Sequence, residues 1–276
     1  MSLTSTARET ALFAGGLVLG AANTVRHNRQ GYVDPRPFSA DDVDRTIGHA
    51  VEIVDLLTEG GEISWPGLRV LEIGPGSDLT TGVVMLSRGA ASYHAVDLFD
   101  NRWQAAEGLY DRLNQALGAA VRPEDLSFTQ TAFPRLPDLA GTFDLIVSNA
   151  CLEHVADVAS LLGRLRDFAA PGCRMVHHID GRTHMRWFCD ADPLNILRYP
   201  EVIYRRLLDF PGAPNRLRAS DYRRLALAAG WSGEILAVQR ASEGYVARTR
   251  VARRFRPYED LDVLTFTLVA SVTGDQ

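Results

Sequence analysis

The chain contains no lysine: all 29 of its basic residues are arginine. A lysine Schiff base or lysine general base is thereby excluded, and the bias fits a GC-rich genome better than a binding role. Cysteine is scarce as well. Cys151, Cys173 and Cys189 are odd in number and show no C-x-x-C spacing, which supports neither a disulfide framework nor a zinc knuckle and fits a reducing compartment. Internal repeats and low-complexity runs are absent. So is any apolar run long enough to cross a bilayer: Ala11 to Ala22 would suit only a signal-peptide core, with Arg8 as its single basic leader. A helix docked on the rest of the protein is the preferred expectation for that run, with weak membrane or partner contact as the lesser one.

What is present is a globular composition. With 276 residues and 46% hydrophobic content the chain can form one large α/β domain or two small ones. A net charge of −5 argues against a general nucleic-acid binder, which needs a basic surface. The charge is uneven, since Arg182 to Arg256 holds 15 arginines and 7 acids, a surplus of +8 that leaves −13 elsewhere. Such a surplus can steer anionic ligands, but solvated helix faces explain it more simply.

The most informative stretch is Val70-Leu71-Glu72-Ile73-Gly74-Pro75-Gly76-Ser77-Asp78. An apolar strand ends in an acid and then a tight Gly-x-Gly loop, where glycine can take positive φ and the next helix offers unpaired N–H groups. Tyr93 to Leu98 reads as a second strand ending in an acid, Asp97, and Phe143 to Asn149 as a later strand. A nicotinamide-binding Rossmann unit would need a third glycine where Leu79 stands, and Glu72 would repel a pyrophosphate. Together these segments resemble the class I S-adenosylmethionine-dependent methyltransferases, over about residues 45 to 275. The resemblance implies that Glu72, Gly74 and Gly76 surround the methionine moiety of the cofactor. It also implies that Asp97 receives both ribose hydroxyls, that Leu98 and Phe133 flank adenine, and that Asn149 touches the cofactor. The departure is Ser77-Asp78, where many members carry another glycine.

Along the chain, Ser39 caps a helix carrying Val43, Ile47, Val51, Val54 and Leu57 on one face. Strands are expected at Leu68–Ile73, Tyr93–Leu98, Leu126–Thr131, Asp144–Ser148, Cys173–Ile179, Trp231–Val238 and Leu261–Val272. Helices fall at Thr80–Ser87, Arg102–Leu117 and Val158–Ala169, the last stopped by Pro171-Gly172, and Ser220-Asp221 caps another through Ala229. This alternation predicts a Rossmann-like α/β fold, a seven-stranded mostly parallel sheet with helices on both faces. An N-terminal helical extension (residues 1–38) precedes the methyltransferase domain (39–276). Residues 181–219 break the alternation with Met185, Trp187, Phe188, Tyr199, Tyr204 and Phe210, and are expected to form a lid inserted after strand 5.

Ligands of such sheets lie beyond the carboxyl ends of the strands. Asn149, Glu153 and His154 follow strand 4; Asp180 and His184 follow strand 5, with His177 and His178 inside it. An alcohol acceptor must lose its proton during attack, and histidine is the natural base. His154 is the first candidate, assisted by Glu153 and Asp180. Cys151 lacks the preceding proline of cytosine C5-methyltransferases and is read as a small buried residue. The segment Cys151-Leu152-Glu153-His154 also resembles the Glu-x-x-Glu-His motif of metal-dependent O-methyltransferases, although Ala150 stands where the first glutamate would be. That resemblance implies a magnesium-like ion on Glu153, His154 and Asp180, with His178, His184 or Asn215 available to complete the shell. Mg²⁺ is therefore an optional second cofactor beside S-adenosylmethionine.

The expected activity is O-methylation of a hydroxyl on a sugar, oligosaccharide or related small molecule. The Asn-Pro-Pro-Tyr type of motif of nucleic-acid amino-methyltransferases is missing after strand 4, and Trp187, Phe188 and Tyr199 could stack a sugar ring. Asn215 to Tyr222 with His178-x-Asp180 resembles bacterial polysaccharide and secondary-metabolite methyltransferases, among which the methylmannose-polysaccharide O-methyltransferases are the specific expectation. The alternatives are a small-molecule C- or N-methyltransferase without metal and a non-catalytic S-adenosylmethionine-binding subunit. A cytoplasmic location follows from where the cofactor is made. No nucleic-acid partner and no stable membrane span are expected, and a homodimer is allowed.

Overall fold

The computed structural model describes residues 3–30, 42–76, 78–100, 107–132, 142–185 and 188–272. The predicted Phe133, Ser39 and Trp187 lie outside these residues. A seven-stranded sheet runs in the order β3-β2-β1-β4-β5-β7-β6, from β1 (Arg69–Ile73), β2 (Ser92–Asp97), β3 (Leu126–Gln130), β4 (Phe143–Asn149), β5 (Ala169–Asp180), β6 (Trp231–Arg240) and β7 (Val263–Val272). β1 to β5 pair in parallel, and β7 lies antiparallel to both β5 and β6.

The alternation of side chains along buried strands assigns each face its helices. Val70, Leu145 and Val147 point to a core shared with α2 (Val43–Gly61), α3 (Thr80–Ser87) and α4 (Leu109–Leu117). Leu71, Ile73 and Ile146 point the other way, into a core with α5 (Val158–Asp167) and α7 (Ala219–Ala228). The Rossmann-like expectation holds, and the bounds of α3 match the predicted ones.

The differences have physical causes. Asp42, rather than Ser39, caps α2 by accepting from the Arg45 N–H at 3.1 Å. Pro171-Gly172 does not stop the chain before β5. The strand begins at Ala169, and the register with β4 shifts between Phe143↔Ala169 and Leu145↔Arg174, so the exposed pair sits in a bulge where the missing proline N–H costs nothing. α7 starts at Ala219, and it is Asp221 that accepts from the Arg218 N–H at 3.1 Å.

The N-terminal helix α1 (Leu3–Gln30) packs on the lid rather than on the sheet. The lid comprises a 3₁₀ turn (Asn195–Arg198), the short α6 (Glu201–Ile203) and a π-helical turn (Tyr204–Leu208). It has its own core of Leu194, Leu197, Tyr199, Tyr204 and Leu208, completed by Phe13 and Leu17 of α1 and by Ala252, Phe255 and Leu264 from beyond β6. Helix α8 (Glu243–Arg248) and a 3₁₀ turn (Arg253–Phe255), both unforeseen, occupy that β6–β7 connection.

Buried charge ties these parts together. Arg198 Nη1 donates to Glu9 of α1 at 2.5 Å, while its Nε and Nη2 donate to Asp192 at 2.7 and 2.8 Å, and both Arg198 and Asp192 are buried. The arginine surplus is thus partly internal bracing. Arg216 lies 3.8 Å over the Tyr204 ring and donates to the Tyr199 carbonyl at 2.8 Å; Arg218 is fully buried and donates to the Gly181 carbonyl at 2.9 Å. Guanidinium suits this work because its planar donors can satisfy several carbonyls at once.

Candidate active site

Beyond the carboxyl ends of β1, β2 and β4 lies a cavity of about 1070 Å³. Its floor at one end is Gly74, Gly76, Asp97 and Leu98; its middle is Ala150, Cys151 and His154; its far end is His184, Met185, Ile196, Tyr199, Tyr204, Leu208 and Phe210. Leu19, Ala22, Asn23, Arg26 and His27 of α1 form part of the wall. The N-terminal apolar helix therefore roofs the site.

The parallel register of β1 and β2 sets the first end, because Ile73 pairs with Val96 and the Gly74 N–H donates to the Val96 carbonyl at 2.9 Å. Gly74 has φ +69°, and a Cβ there would meet Cys151 Sγ at 2.4 Å, so any side chain would push the loop off β4. Gly76 has φ +84° and faces open space instead. The Asp97 carboxylate accepts from the Phe99 N–H at 3.1 Å, and burial raises its pKa.

Glu72 does not line the cavity. It lies beneath the loop, buried, where Thr81 Oγ1 donates to it at 2.7 Å and the Tyr93 hydroxyl also donates. Burial, only partly offset by those two bonds, pushes its pKa up to about 7. Sequence reasoning missed Thr81 and Tyr93 as its holders, since a hydroxyl inside a strand or helix carries no signal of its own.

After β4 the backbone turns sharply at Ala150, whose φ is +47° and whose N–H donates to the His178 carbonyl at 3.0 Å. Left-handed backbone at a non-glycine residue costs roughly 1 kcal/mol. The turn carries Cys151 to His154 across the crevice. Cys151 is partly exposed rather than buried, and its thiol is pushed well above the ordinary range, first by burial of its surroundings and then by Asp97, Glu153 and Glu72. That suits a wall, not a nucleophile.

His154 is oriented by the lid. Its Nδ1 lies 2.6 Å from the Gly212 carbonyl, which can only accept, so Nδ1 carries the proton and Nε2 keeps its lone pair. Burial lowers the His154 pKa to about 4, with the neighbouring His184 adding to the effect and the Gly212 bond opposing it. The lid loop is in turn held by Asn215, whose amide donates to the Leu152 and Val155 carbonyls at 2.9 and 3.0 Å. Asn215 thus positions the turn, and its Oδ1, the atom a metal would need, accepts instead from the Leu217 N–H at 3.0 Å.

Three polar groups converge next to this point. One donor atom each from Glu153, His154 and His184 lies within 4.8 Å of the other two. The Glu153 Oε1 accepts from the Asp180 N–H at 3.1 Å, its Oε2 is buried without a hydrogen-bond partner, and burial raises its pKa to about 8. Asp180 does not join the group. Its carboxylate is held by Arg182, at 2.9 Å from Nε and 2.8 Å from Nη2, and although burial pushes its pKa up, the guanidinium outweighs this and keeps it low. Asn149 ends β4 but does not line the cavity. His177 and His178 are sheet residues, the first 2.8 Å from Ser148 Oγ and the second 3.4 Å from Thr267 Oγ1.

Residues 44–234 match a protein family described as "Methyltransferase domain". The chain belongs to the methyltransferase-domain family. S-adenosylmethionine is the cofactor that its open Gly76 loop and cavity-facing Asp97 fit. Among curated proteins, this methyltransferase is 33% identical over 104 residues to malonyl-[acyl-carrier protein] O-methyltransferase of Chlorobium luteolum, and 27% identical over 114 residues to the reducing polyketide synthase grgA of a Penicillium species. The matches cover 38% and 41% of this chain but only 36% and 4% of those two proteins. A structure from Listeria monocytogenes, assigned to the S-adenosylmethionine-dependent methyltransferases, superposes with a TM-score of 0.54 and 12% identity, covering 82% of this chain and all (100%) of the other. At that identity the likeness concerns the fold.

Proposed function

We propose that this methyltransferase transfers a methyl group to the oxygen of an acidic hydroxyl, with His154 as the base and a largely apolar acceptor held under the lid. The carrying observation is the His154–Gly212 bond, which leaves the Nε2 lone pair available where the cofactor end of the cavity meets the lid chamber. Bound S-adenosylmethionine supplies an electrophilic methyl on a positively charged sulfur. Gly74, Gly76 and Asp97 would hold it, with Leu98 and, by the family resemblance, Phe133 beside them, while Glu72 would support the loop from beneath. As the methyl passes from the sulfonium sulfur to the acceptor oxygen, leaving neutral S-adenosylhomocysteine, Nε2 would take the hydroxyl proton and the Gly212 carbonyl would steady the imidazolium through Nδ1–H. Glu153 and Asp180 act through the turn: the Glu153 carboxyl and the Asp180 backbone N–H hold the ends of β4 and β5 together.

Two properties of the site select the acceptor. A base with a pKa lowered to about 4 matches an enol or phenol better than an aliphatic sugar hydroxyl. The chamber walls of Met185, Ile196, Leu208, Phe210 and Pro211 favour an apolar body over an oligosaccharide. The sugar acceptor and the methylmannose-polysaccharide subtype expected from sequence fit these walls less well. A proton acceptor in this place also favours O-methylation over a metal-free C- or N-transfer and over a non-catalytic binding subunit. A cytoplasmic location agrees with where the cofactor is made.

A metal-assisted variant has one specific observation behind it, the partnerless Glu153 Oε2 beside His154 and His184. Two imidazoles and one carboxylate suit a first-row transition ion better than magnesium. The experiment that decides the main reading measures cofactor affinity and single-turnover methylation side by side in His154→Ala, using phenol and enol acceptors. Retained affinity with lost turnover is expected; undiminished turnover would remove the assigned role.

A further inference from the structure

We infer that the outward face of α1 rests on an anionic lipid bilayer surface. Sixteen residues, Thr10 to Val25, pass without one ionisable side chain. The inner face of this stretch is accounted for: Gly16 and Gly20 are buried so tightly that a Cβ would meet Asn195 Oδ1 at 2.2 Å and Leu208 Cδ2 at 2.4 Å, and Phe13 and Leu17 pack into the lid core. The outer face is apolar too. Ala11, Ala14, Val18, Ala22 and Val25 follow one another at helical spacing and are all exposed, Val18 by 67% and Val25 by 50%. A helix on the surface of a soluble domain carries polar residues there. Val202 and Leu207, exposed by 61% and 43%, extend the apolar area onto the lid segment that α1 packs against.

Charge selects the occupant. The only acid of α1, Glu9, is buried against Arg198, whereas Arg8 and Arg29 are exposed at the two ends of the stripe. On the adjoining lid turn Arg205 pairs with Glu201 at 2.6 Å, an acid already shared with Arg216 and Arg254, so that turn does not cancel the positive charge of α1. A second copy laid along the stripe would bring arginines against arginines in either direction. An anionic bilayer instead receives the apolar stripe between its headgroups and pairs with the flanking arginines, the arrangement of an interfacial amphipathic helix. No helix among the described residues is long and apolar enough to span a membrane, so the helix lies on the surface. Leu19 and Ala22 are both solvent-exposed and part of the cavity wall, which places the mouth of the chamber at that surface.

The test is flotation of the full chain with phosphatidylglycerol-containing vesicles and with pure phosphatidylcholine vesicles, for the native protein and for Val18→Asp/Val25→Asp. Neither valine lines the cavity, and an unchanged melting profile and cofactor affinity would show that the variant folds. The expected result is flotation with the anionic vesicles only, reduced by salt and weakened roughly tenfold or more in the double variant. Native protein that stays at the bottom with anionic vesicles, or a variant that floats equally well, overturns the inference. So does a native dimer, seen by sedimentation equilibrium, that the two aspartates dissolve.

Discussion

The two ends of the cavity are built in opposite ways. The proposed cofactor end comes from short contiguous segments at strand ends, Gly74–Gly76 after β1 and Asp97–Leu98 after β2, and its geometry is set by parallel pairing and positive φ. The acceptor end is gathered from α1, the turn after β4 and the lid, and it is held by buried ion pairs and by a core shared with the β6–β7 connection. Local backbone geometry suits a ligand that does not change. A chamber assembled from distant pieces can change its walls while the sheet stays as it is, which is where acceptor specificity belongs.

Substitutions that act on one end only should separate the two. The largest effect is expected at their junction: His154→Ala should lower turnover by about 10²- to 10⁴-fold, with cofactor affinity, read by calorimetry, unmoved. Next is Glu9→Ala, which leaves Arg198 buried with Asp192 alone. Arg198 keeps its two bonds to Asp192, so the loss is that of a charged hydrogen bond, roughly 1.5–3 kcal/mol; α1 should become the first site of limited proteolysis and acceptor KM should rise. Equal protease resistance would show that the roof stands without this anchor. Asp97→Ala addresses the opposite end, where losing hydrogen bonds to a carboxylate should weaken cofactor binding by about 1.5–3 kcal/mol and leave the α1 cleavage pattern as it was.

The smallest effect concerns proton linkage. Glu153 is raised to about 8 when folded, above its value in the unfolded chain, so the folded state holds a proton that the unfolded state releases. Native stability should therefore fall as pH rises through that window. Glu153→Gln keeps the acceptor for the Asp180 N–H but has no proton to lose. Its stability relative to the native chain should grow by about 1 kcal/mol from about pH 6 to pH 7 in denaturant titrations. A metal ion on Glu153 would reverse this sign, because it favours the ionised carboxylate, and the same titration with added Zn²⁺ or Mn²⁺ would show it.

Much of the sheet is legible in the order of the amino acids alone. Val70 to Ile73, Tyr93 to Asp97 and Phe143 to Asn149 are apolar runs ending in polar residues, and a strand buried on both faces has to look that way. Punctuation is less dependable. Pro171-Gly172 looks like a stop and is a bulge, and Ser39 looks like a cap where Asp42 serves, because the choice depends on pairing and packing that local composition does not contain. In the candidate site, Gly74, Gly76, Asp97, Leu98 and His154 are brought to the cavity, whereas Glu72, Glu153 and Asp180 are held behind its wall. Sequence spacing marks strand ends, but it does not say which way a carboxylate turns.

By itself the amino-acid sequence determined the doubly covered, mostly parallel sheet and the place of the Gly74–Gly76 loop, because periodic burial and glycine conformation act over a few residues. Only the tertiary structure decided that His154 presents Nε2, that His184 rather than Asp180 stands beside it, and that α1 closes the chamber. Those outcomes rest on a carbonyl at Gly212, a guanidinium at Arg182 and a buried Arg198, each brought into reach by the folding of segments far apart in the chain.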